Sequence, residues 1–200
     1  MYCLDLLLFY LLTSVILATK EVSTSMLLNH FKDLLGQNYS VVKITEDNLN
    51  DVLKLMQANT YYYSQIPFPT PSLDTCRKDF TALPPHTDMK QKNYIALYKG
   101  HDCIAILDYI ESYPSKDRVY LGLFMLHPDY HHQGLGKKLI HIFIESAKAS
   151  HFSGINLACY EVNTIGYAFW KNIGFVTERT CMRELNGVSY TLLEMYKPCL

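Results

Sequence analysis

The sequence predicts a mixed α/β domain, and two observations carry that expectation. Apolar residues fall into about seven strand-length runs interleaved with segments of helical period, the pattern of a layered sheet-and-helix domain. Their order puts hairpin-forming strands first and a strand–helix–strand unit later, so an antiparallel start gives way to a parallel crossover. At 200 residues the chain suits one domain that buries roughly 70% of its unfolded surface. Its 49% hydrophobic content is too high for disorder, and 9 glycines and 8 prolines are too few for a fibrous repeat. With 18 basic and 19 acidic side chains the formal charge is −1. That gives no net pull toward nucleic acid or an acidic membrane, so neither is an expected partner.

Residues 1–18, MYCLDLLLFYLLTSVILA, raise a targeting question. The apolar run from Leu6 to Ala18 is shorter than the ~17–25 residues of a spanning helix, and Asp5 stands where a signal peptide carries positive charge. Residues 1–25 are therefore expected to be a hydrophobic leader or an over-extended start outside the core, with a weak membrane anchor as the alternative. The domain is placed at 26–200. There Leu27, Leu28, Phe31, Leu34 and Leu35 recur at helical spacing before Gly36. Tyr39 to Thr45 reads as a strand, and Thr45 as the cap of a helix striped by Leu49, Val52, Leu53 and Met56. Tyr61, Tyr62 and Tyr63 either cover the end of that helix or line a pocket.

Thr70-Pro71 has the form of an N-cap followed by proline at the first helical position, with Leu73, Cys76 and Phe80 on one face and Pro84-Pro85 as the stop. Asn93 to Tyr98 and Cys103 to Ile110 form a hairpin around Gly100. Val119 to Leu126 (VYLGLFML) is nearly continuously apolar and suits a central strand buried on both faces. A helix opens near Gly134, with Leu135, Leu139, Ile142, Phe143 and Ala147 toward the core. Ile155 to Cys159 is a short strand, Thr164 to Asn172 a helix ended by Gly174, and Phe175 to Leu185 with Val188 to Tyr196 a hairpin. Its Asn186-Gly187 dipeptide favours a type I′ turn.

Chemistry concentrates between Leu126 and Leu139, LHPDYHHQGLGKKL. An apolar strand ends, a loop follows, and Gly134 and Gly136 open an amphipathic helix. Unpaired backbone amides and the helix dipole make such a junction attractive to phosphate, and glycines let a ligand approach the backbone. Lys137 and Lys138 add positive charge. The Walker pattern fails because position 138 is Lys, and the dinucleotide fingerprint fails because Leu139 stands where its third glycine belongs.

Two motifs in order carry a family resemblance. His131-His-Gln-Gly134-Leu-Gly136 resembles the Arg/Gln-x-x-Gly-x-Gly/Ala loop of the GNAT superfamily of N-acetyltransferases. Asn163-Thr-Ile-Gly-Tyr-Ala-Phe-Trp-Lys-Asn-Ile-Gly-Phe175 resembles that family's next element. The element order from Tyr39 to Tyr196 agrees with the fold, and Leu83-Pro-Pro85 with Leu107 to Pro114 resembles an uncharacterised bacterial group within it. The resemblance implies a mixed, mostly antiparallel central sheet of about seven strands with helices on both faces. It also implies acetyl transfer from acetyl-CoA, a cosubstrate used without metal, to the primary amine of a small molecule, amino acid or peptide. By carry-over, Phe124, Met125 and Leu126 flank the pantetheine arm, and His131, His132, Gln133, Gly134, Leu135, Gly136 and Lys137 hold the pyrophosphate. Asn163 contacts the arm near the sulfur or orders nearby water. His131 replaces the usual Arg or Gln, which makes cofactor affinity depend on pH. Trp170 stands where many members carry a tyrosine that protonates the leaving thiolate, and an indole is no practical acid. Tyr167, one turn earlier, is the substitute; otherwise the thiolate leaves unassisted.

A general base must take a proton from the attacking amine. Asp108, within an otherwise apolar strand, is a candidate, as are Glu111 at the strand end and Glu161 after the next strand. Asp108 serves equally well as a structural acceptor, and position alone does not separate the two roles. His127, Asp129, His131 and His132 do not converge as metal ligands in a loop carrying Pro128, so no metal is expected. The cysteines at 3, 76, 103, 159, 181 and 199 contain no Cys-x-x-Cys pair, and suit scattered hydrophobes in a reducing, cytoplasmic setting. A homodimer stays open. The rival function is a catalytically degenerate acyl-CoA-binding regulatory module.

Overall fold

A computed structural model describes residues 25–65 and 68–199. The expected leader over residues 1–25 lies outside the described residues except for Ser25, which caps the first helix. Seven strands form one mixed sheet in the order β1-β2-β3-β4-β5-β7-β6. They are β1 (Ser40–Lys43), β2 (Lys92–Lys99), β3 (Asp102–Glu111), β4 (Arg118–Leu126), β5 (Gly154–Tyr160), β6 (Val176–Leu185) and β7 (Val188–Pro198). Every neighbouring pair is antiparallel except β4 with β5. Helix α5 (Leu135–Ala149) makes the crossover between these two, as parallel neighbours require. The other helices are α1 (Met26–Leu35), α2 (Leu49–Ala58), α3 (Thr60–Gln65), α4 (Leu73–Thr81) and α6 (Thr164–Ile173).

Two cores lie on opposite faces of the sheet, so the mostly antiparallel sheet carries helices on both, as expected. On one face α1 and α5 pack Leu27, Phe31, Leu139 and Phe143 against Leu107, Tyr109 and Leu157. Phe143 is the hub: its ring meets Tyr109 edge-on at 5.0 Å and Phe31 at 6.1 Å. On the other face α2 and α4 pack Val52, Met56 and Cys76 against Tyr94, Ala96 and Ile106. The alternation of Ile95 and Leu97 into the first core, Tyr94 and Ala96 into the second, is the period-2 signature of a strand covered on both sides.

Three expectations change. Thr70-Pro71 does not cap α4; Ser72 does. The Ser72 hydroxyl accepts from the Thr75 amide at 3.3 Å and the Thr75 hydroxyl accepts from the Ser72 amide at 2.8 Å. This reciprocal box satisfies two orphan donors where Thr70 would satisfy one. Tyr61, Tyr62 and Tyr63 belong to a separate short helix, α3, rather than to the end of α2. Finally, β4 is not buried throughout: Gly122 is exposed and Leu123 and Phe124 are half-buried, because the sheet opens there. Asn186 and Gly187 both have positive φ, 52° and 77°, as the type I′ turn between β6 and β7 requires.

Candidate active site

Strands β4 and β5 part company halfway along. They pair from Arg118–Gly154 to Leu121–Leu157 and no further, although β4 runs on to Leu126 and β5 to Tyr160. Opposite β3 the register slips at the same point: Asp108 faces Leu123 and Tyr109 faces Leu121, so Gly122 is the extra residue of a bulge. A bulge bends and twists its strand, and here it turns β4 away from β5. The facing edges beyond Leu121 and Leu157 keep backbone donors and acceptors without a ladder partner, which a ligand can satisfy. A cleft of about 910 Å³ occupies the opening.

On the α5 and α6 face, the cleft ends at the helix α5 N-terminus. Gly134 caps it at φ 77°, ψ −7°, a left-handed conformation that favours glycine. The Lys138 amide bonds the Gly134 carbonyl at 3.0 Å. The amides of Leu135, Gly136 and Lys137 ahead of it have no acceptor within the helix. A Cβ on Gly136 would sit 3.4 Å from Phe169 and 3.6 Å from Leu126, ordinary contact distances, so α5 starts close beside both. His131, His132, Gly134, Gly136 and Lys137 line the cleft. Gln133 and Leu135 do not line it; the Gln133 side-chain amide donates to the Asp129 carbonyl at 2.5 Å. His131 Nε2 lies 2.9 Å from the Leu126 carbonyl. A carbonyl only accepts, so that nitrogen carries the proton and ties the loop to the end of β4.

Phe124, Met125 and Leu126 form one wall of the opening, with Asn163 and Trp170 from α6 across from them. Asn163 is the N-cap of α6, its side-chain oxygen accepting from the Gly166 amide at 3.0 Å. Any side chain at 166 would strike it, since a Cβ there falls 2.5 Å from Asn163 Nδ2. The Trp170 ring packs on Phe169 at 4.9 Å, Phe175 at 5.4 Å and Phe124 at 6.2 Å, which fixes it as part of a rigid aromatic wall.

The opposite half of the cleft, on the α2–α4 face, is aromatic. Tyr61 and Tyr62 of α3, Phe68, Tyr120 of β4 and Tyr160 of β5 line it, with Arg183 of β6. Tyr62 stacks on Phe68 at 6.0 Å, and Phe68 meets Tyr160 edge-on at 5.8 Å. Burial pushes the Tyr62 and Tyr120 hydroxyls up to about 12, so both keep their protons. Tyr120, Tyr160 and Arg183 carry no motif, and only the strand pairing brings them together.

The four acid–base candidates scatter. Asp108 lies behind the bulge, its Oδ2 3.9 Å from where a Gly122 Cβ would be. Lys92 Nζ donates to that oxygen at 2.6 Å and to the Ala82 carbonyl at 3.0 Å, with side chains 2% and 17% exposed for Lys92 and Asp108. Asp108 Oδ1 and the Tyr94 hydroxyl beside it are buried without a hydrogen-bond partner. Burial pushes the Asp108 carboxyl above its ordinary range, with Asp79 adding to the rise and Lys92 opposing it. Glu111 lies away from the cleft at the α1 N-terminus, accepting from Ser25 and from Asn93 at 3.2 Å. Burial raises its carboxyl too, against the Ser25 hydrogen bond. Glu161 is exposed, one residue past β5. Tyr167 turns from the cleft toward the α5-side core, under the Lys171 ammonium at 5.5 Å. Among the described residues no group of three or more His, Cys, Asp or Glu is placed to hold a metal ion.

A cleft through a splayed sheet, with unpaired strand edges and a glycine-opened helix start at one end, suits an extended cofactor ending in phosphates. Acetyl-CoA fits this set of residues. The fold is shared with an acetyltransferase from Thermus thermophilus, at a TM-score of 0.63 and 19% identity over 81% of this chain and 97% of that one. The Escherichia coli ribosomal-protein-S18-alanine N-acetyltransferase gives 0.58 and 16% over 80% and 94%. A Salmonella typhimurium structure containing its cofactor acetyl-CoA gives 0.55 and 12% over 82% and 95%. No curated protein matches the sequence. The model of the acetyltransferase (GNAT) family matches residues 52–175, a stretch that begins in α2 and ends just past α6, and the chain belongs to that family.

Proposed function

We propose that the chain transfers the acetyl group of acetyl-CoA to the primary amine of a small molecule, amino acid or peptide by direct attack. The observation that carries this reading is the cleft itself. It crosses the sheet at the β4–β5 splay, with a helix start suited to phosphate at one end and an aromatic half on the other face. Acetyl-CoA supplies the activated thioester: the amine nitrogen bonds its carbonyl carbon, the carbon–sulfur bond breaks, and the sulfur leaves with the electron pair. The amine sheds its protons, one of which accounts for the free thiol.

Each residue then has a role. The amides of Gly136 and Lys137, with the Lys137 charge, hold phosphate. His131 pins the loop to β4, and Gly134 gives the turn its left-handed entry. Phe124, Met125 and Leu126 present the open strand edge, and Asn163 and Trp170 close the wall opposite. Asp108 is the base and takes the amine proton through water, since it lies behind Gly122 and does not itself line the cleft. Lys92 fixes one oxygen and leaves the other unpartnered, and the raised carboxyl brings proton affinity closer to neutral pH. A thiol has an ordinary pKa of about 8.5, so departure of the sulfur does not require an acid on α6. The free thiols of Cys76, Cys103, Cys159, Cys181 and Cys199 suit work in the reducing cytoplasm. No described helix is long and apolar enough to cross a membrane.

The position of Tyr167 away from the cleft favours one rival, a module that binds acyl-CoA without turnover. Thiol release with a panel of amines decides between them: an enzyme liberates CoA with at least one acceptor, while a sensor binds acetyl-CoA and liberates none.

A further inference from the structure

We propose that the acceptor is a free amino acid, its carboxylate held by Arg183 and its side chain, aromatic or large and apolar, seated among Tyr62, Phe68 and Tyr160. The proposal rests on the acetyltransferase reading above and names the substrate class of that site.

The strand register builds this wall. Tyr160 pairs with Leu192, Leu192 with Cys181, and Tyr190 with Arg183. Directly paired residues project to the same face, so Tyr160, Tyr190 and Arg183 stand on one side of the sheet. Tyr160 and Tyr190 meet edge-on at 6.1 Å. Tyr120 joins that face through its pairing with Asn156, two residues from Ala158 and four from Tyr160.

Charge balance singles out Arg183. Three arginines belong to this part of the molecule. Arg179 is answered by Glu194 in a two-pronged pair at 2.9 Å for each bond. Arg118 lies 3.7 Å from Glu178 and stacks on the Tyr196 ring at 4.1 Å. Arg183 lines the cleft and has no carboxylate within salt-bridge distance among the described residues. Its charge bears on the pocket, since it opposes the burial that raises the Tyr120 and Tyr160 hydroxyls. A guanidinium presents a planar fork matched to a carboxylate, and Arg183 holds it exposed at the aromatic half of the cleft, across the ladder from Tyr190. An amino acid answers the unpaired charge of this half: its carboxylate meets Arg183 while its amine is the reacting group. A simple alkylamine leaves Arg183 unanswered.

The test measures thiol release and acetyl-CoA affinity together, for the wild-type chain and Arg183→Gln. The acceptors are the common amino acids, their amides, and phenethylamine. The expected result is kcat/KM for an aromatic or large apolar amino acid about 10- to 100-fold above its amide. Arg183→Gln should raise KM for that amino acid by a similar factor and abolish the preference over the amide. Phenethylamine turnover and the acetyl-CoA Kd should not change, and Arg183→Lys should recover part of the loss. Equal or better turnover of the amides, or an Arg183→Gln enzyme unchanged toward amino acids, overturns the proposal and leaves the acetyltransferase standing. Acetylation of phenethylamine or the amides but of no amino acid does the same, whereas acetyl-CoA bound with no acceptor turned over overturns both. Failure to bind acetyl-CoA overturns both.

Discussion

Replacing Gly134 by Asp and, separately, by Asn tests the phosphate cradle in a way that separates charge from backbone. At φ 77° and ψ −7° this residue is left-handed, a conformation that costs an ordinary L-residue roughly 1–2 kcal/mol and Asn or Asp less. No atom lies within 4 Å of a Cβ built there, so neither side chain meets a steric obstacle and both variants should fold. They are nearly the same size, and the difference between them is one negative charge at the mouth of the helix. For two unit charges ~5 Å apart at an effective dielectric of 20, repulsion is about 3 kcal/mol. Screening by salt lowers this, so roughly 2–3 kcal/mol is expected, or about 30- to 150-fold in Kd. Calorimetric titration with CoA should therefore place Gly134→Asn within about tenfold of wild type and Gly134→Asp weaker by that further factor. The gap should narrow as salt is added. Equal affinities for the two variants would show that no phosphate approaches position 134 and would remove the cradle.

Three further outcomes follow from the cores and the buried pair. Lys92→Met strands the Asp108 carboxylate with Oδ2 unanswered and should destabilise the fold by about 3–5 kcal/mol in denaturant unfolding, with Asp108→Leu on the same background recovering much of the loss; additive losses would mean the two residues do not act as a pair. Asp108→Asn should cut kcat while leaving the acetyl-CoA Kd unchanged. Because burial raises the Asp108 carboxyl and the base works only when deprotonated, wild-type kcat should climb as pH rises through that raised value. The variant should lose this limb, and an unaltered profile would exclude Asp108 as the base. Phe143→Ala should cost about 3–5 kcal/mol, since the ring is fully buried between Tyr109 and Phe31; a loss under about 1 kcal/mol would mean the α5 face does not anchor the first core.

What could be read from the chain alone was whatever is local in it. Gly134 and Gly136 between an apolar run and an amphipathic helix announce a strand–loop–helix junction, and Asn186-Gly187 announces a hairpin, because backbone sterics act over a few residues. The aromatic half of the cleft was silent for the opposite reason. Tyr120, Tyr160 and Arg183 come from β4, β5 and β6, and β7 inserts between the last two in the sheet. Neither the register nor the bulge at Gly122 that opens the cleft is written in any short motif. The Lys92–Asp108 pair is likewise a cross-strand event: Asp108 faces Tyr94, and Lys92 reaches it from two residues along the same strand. Apolarity from Val119 to Leu126 pointed to burial on both faces, but it does not distinguish a packed strand from one whose edge is kept open for a ligand. Thr70 lost the cap to Ser72 because a capping box needs a partner three residues on, and Thr75 answers Ser72.

Titration of the purified chain with acetyl-CoA at pH 6 and pH 8, wild type beside Gly134→Asp, bears most directly on the cleft as a cofactor site. Saturable micromolar binding at one site per chain, lost or sharply weakened in Gly134→Asp, is the predicted result. Absence of binding at both pH values, or binding that Gly134→Asp leaves untouched, would contradict it.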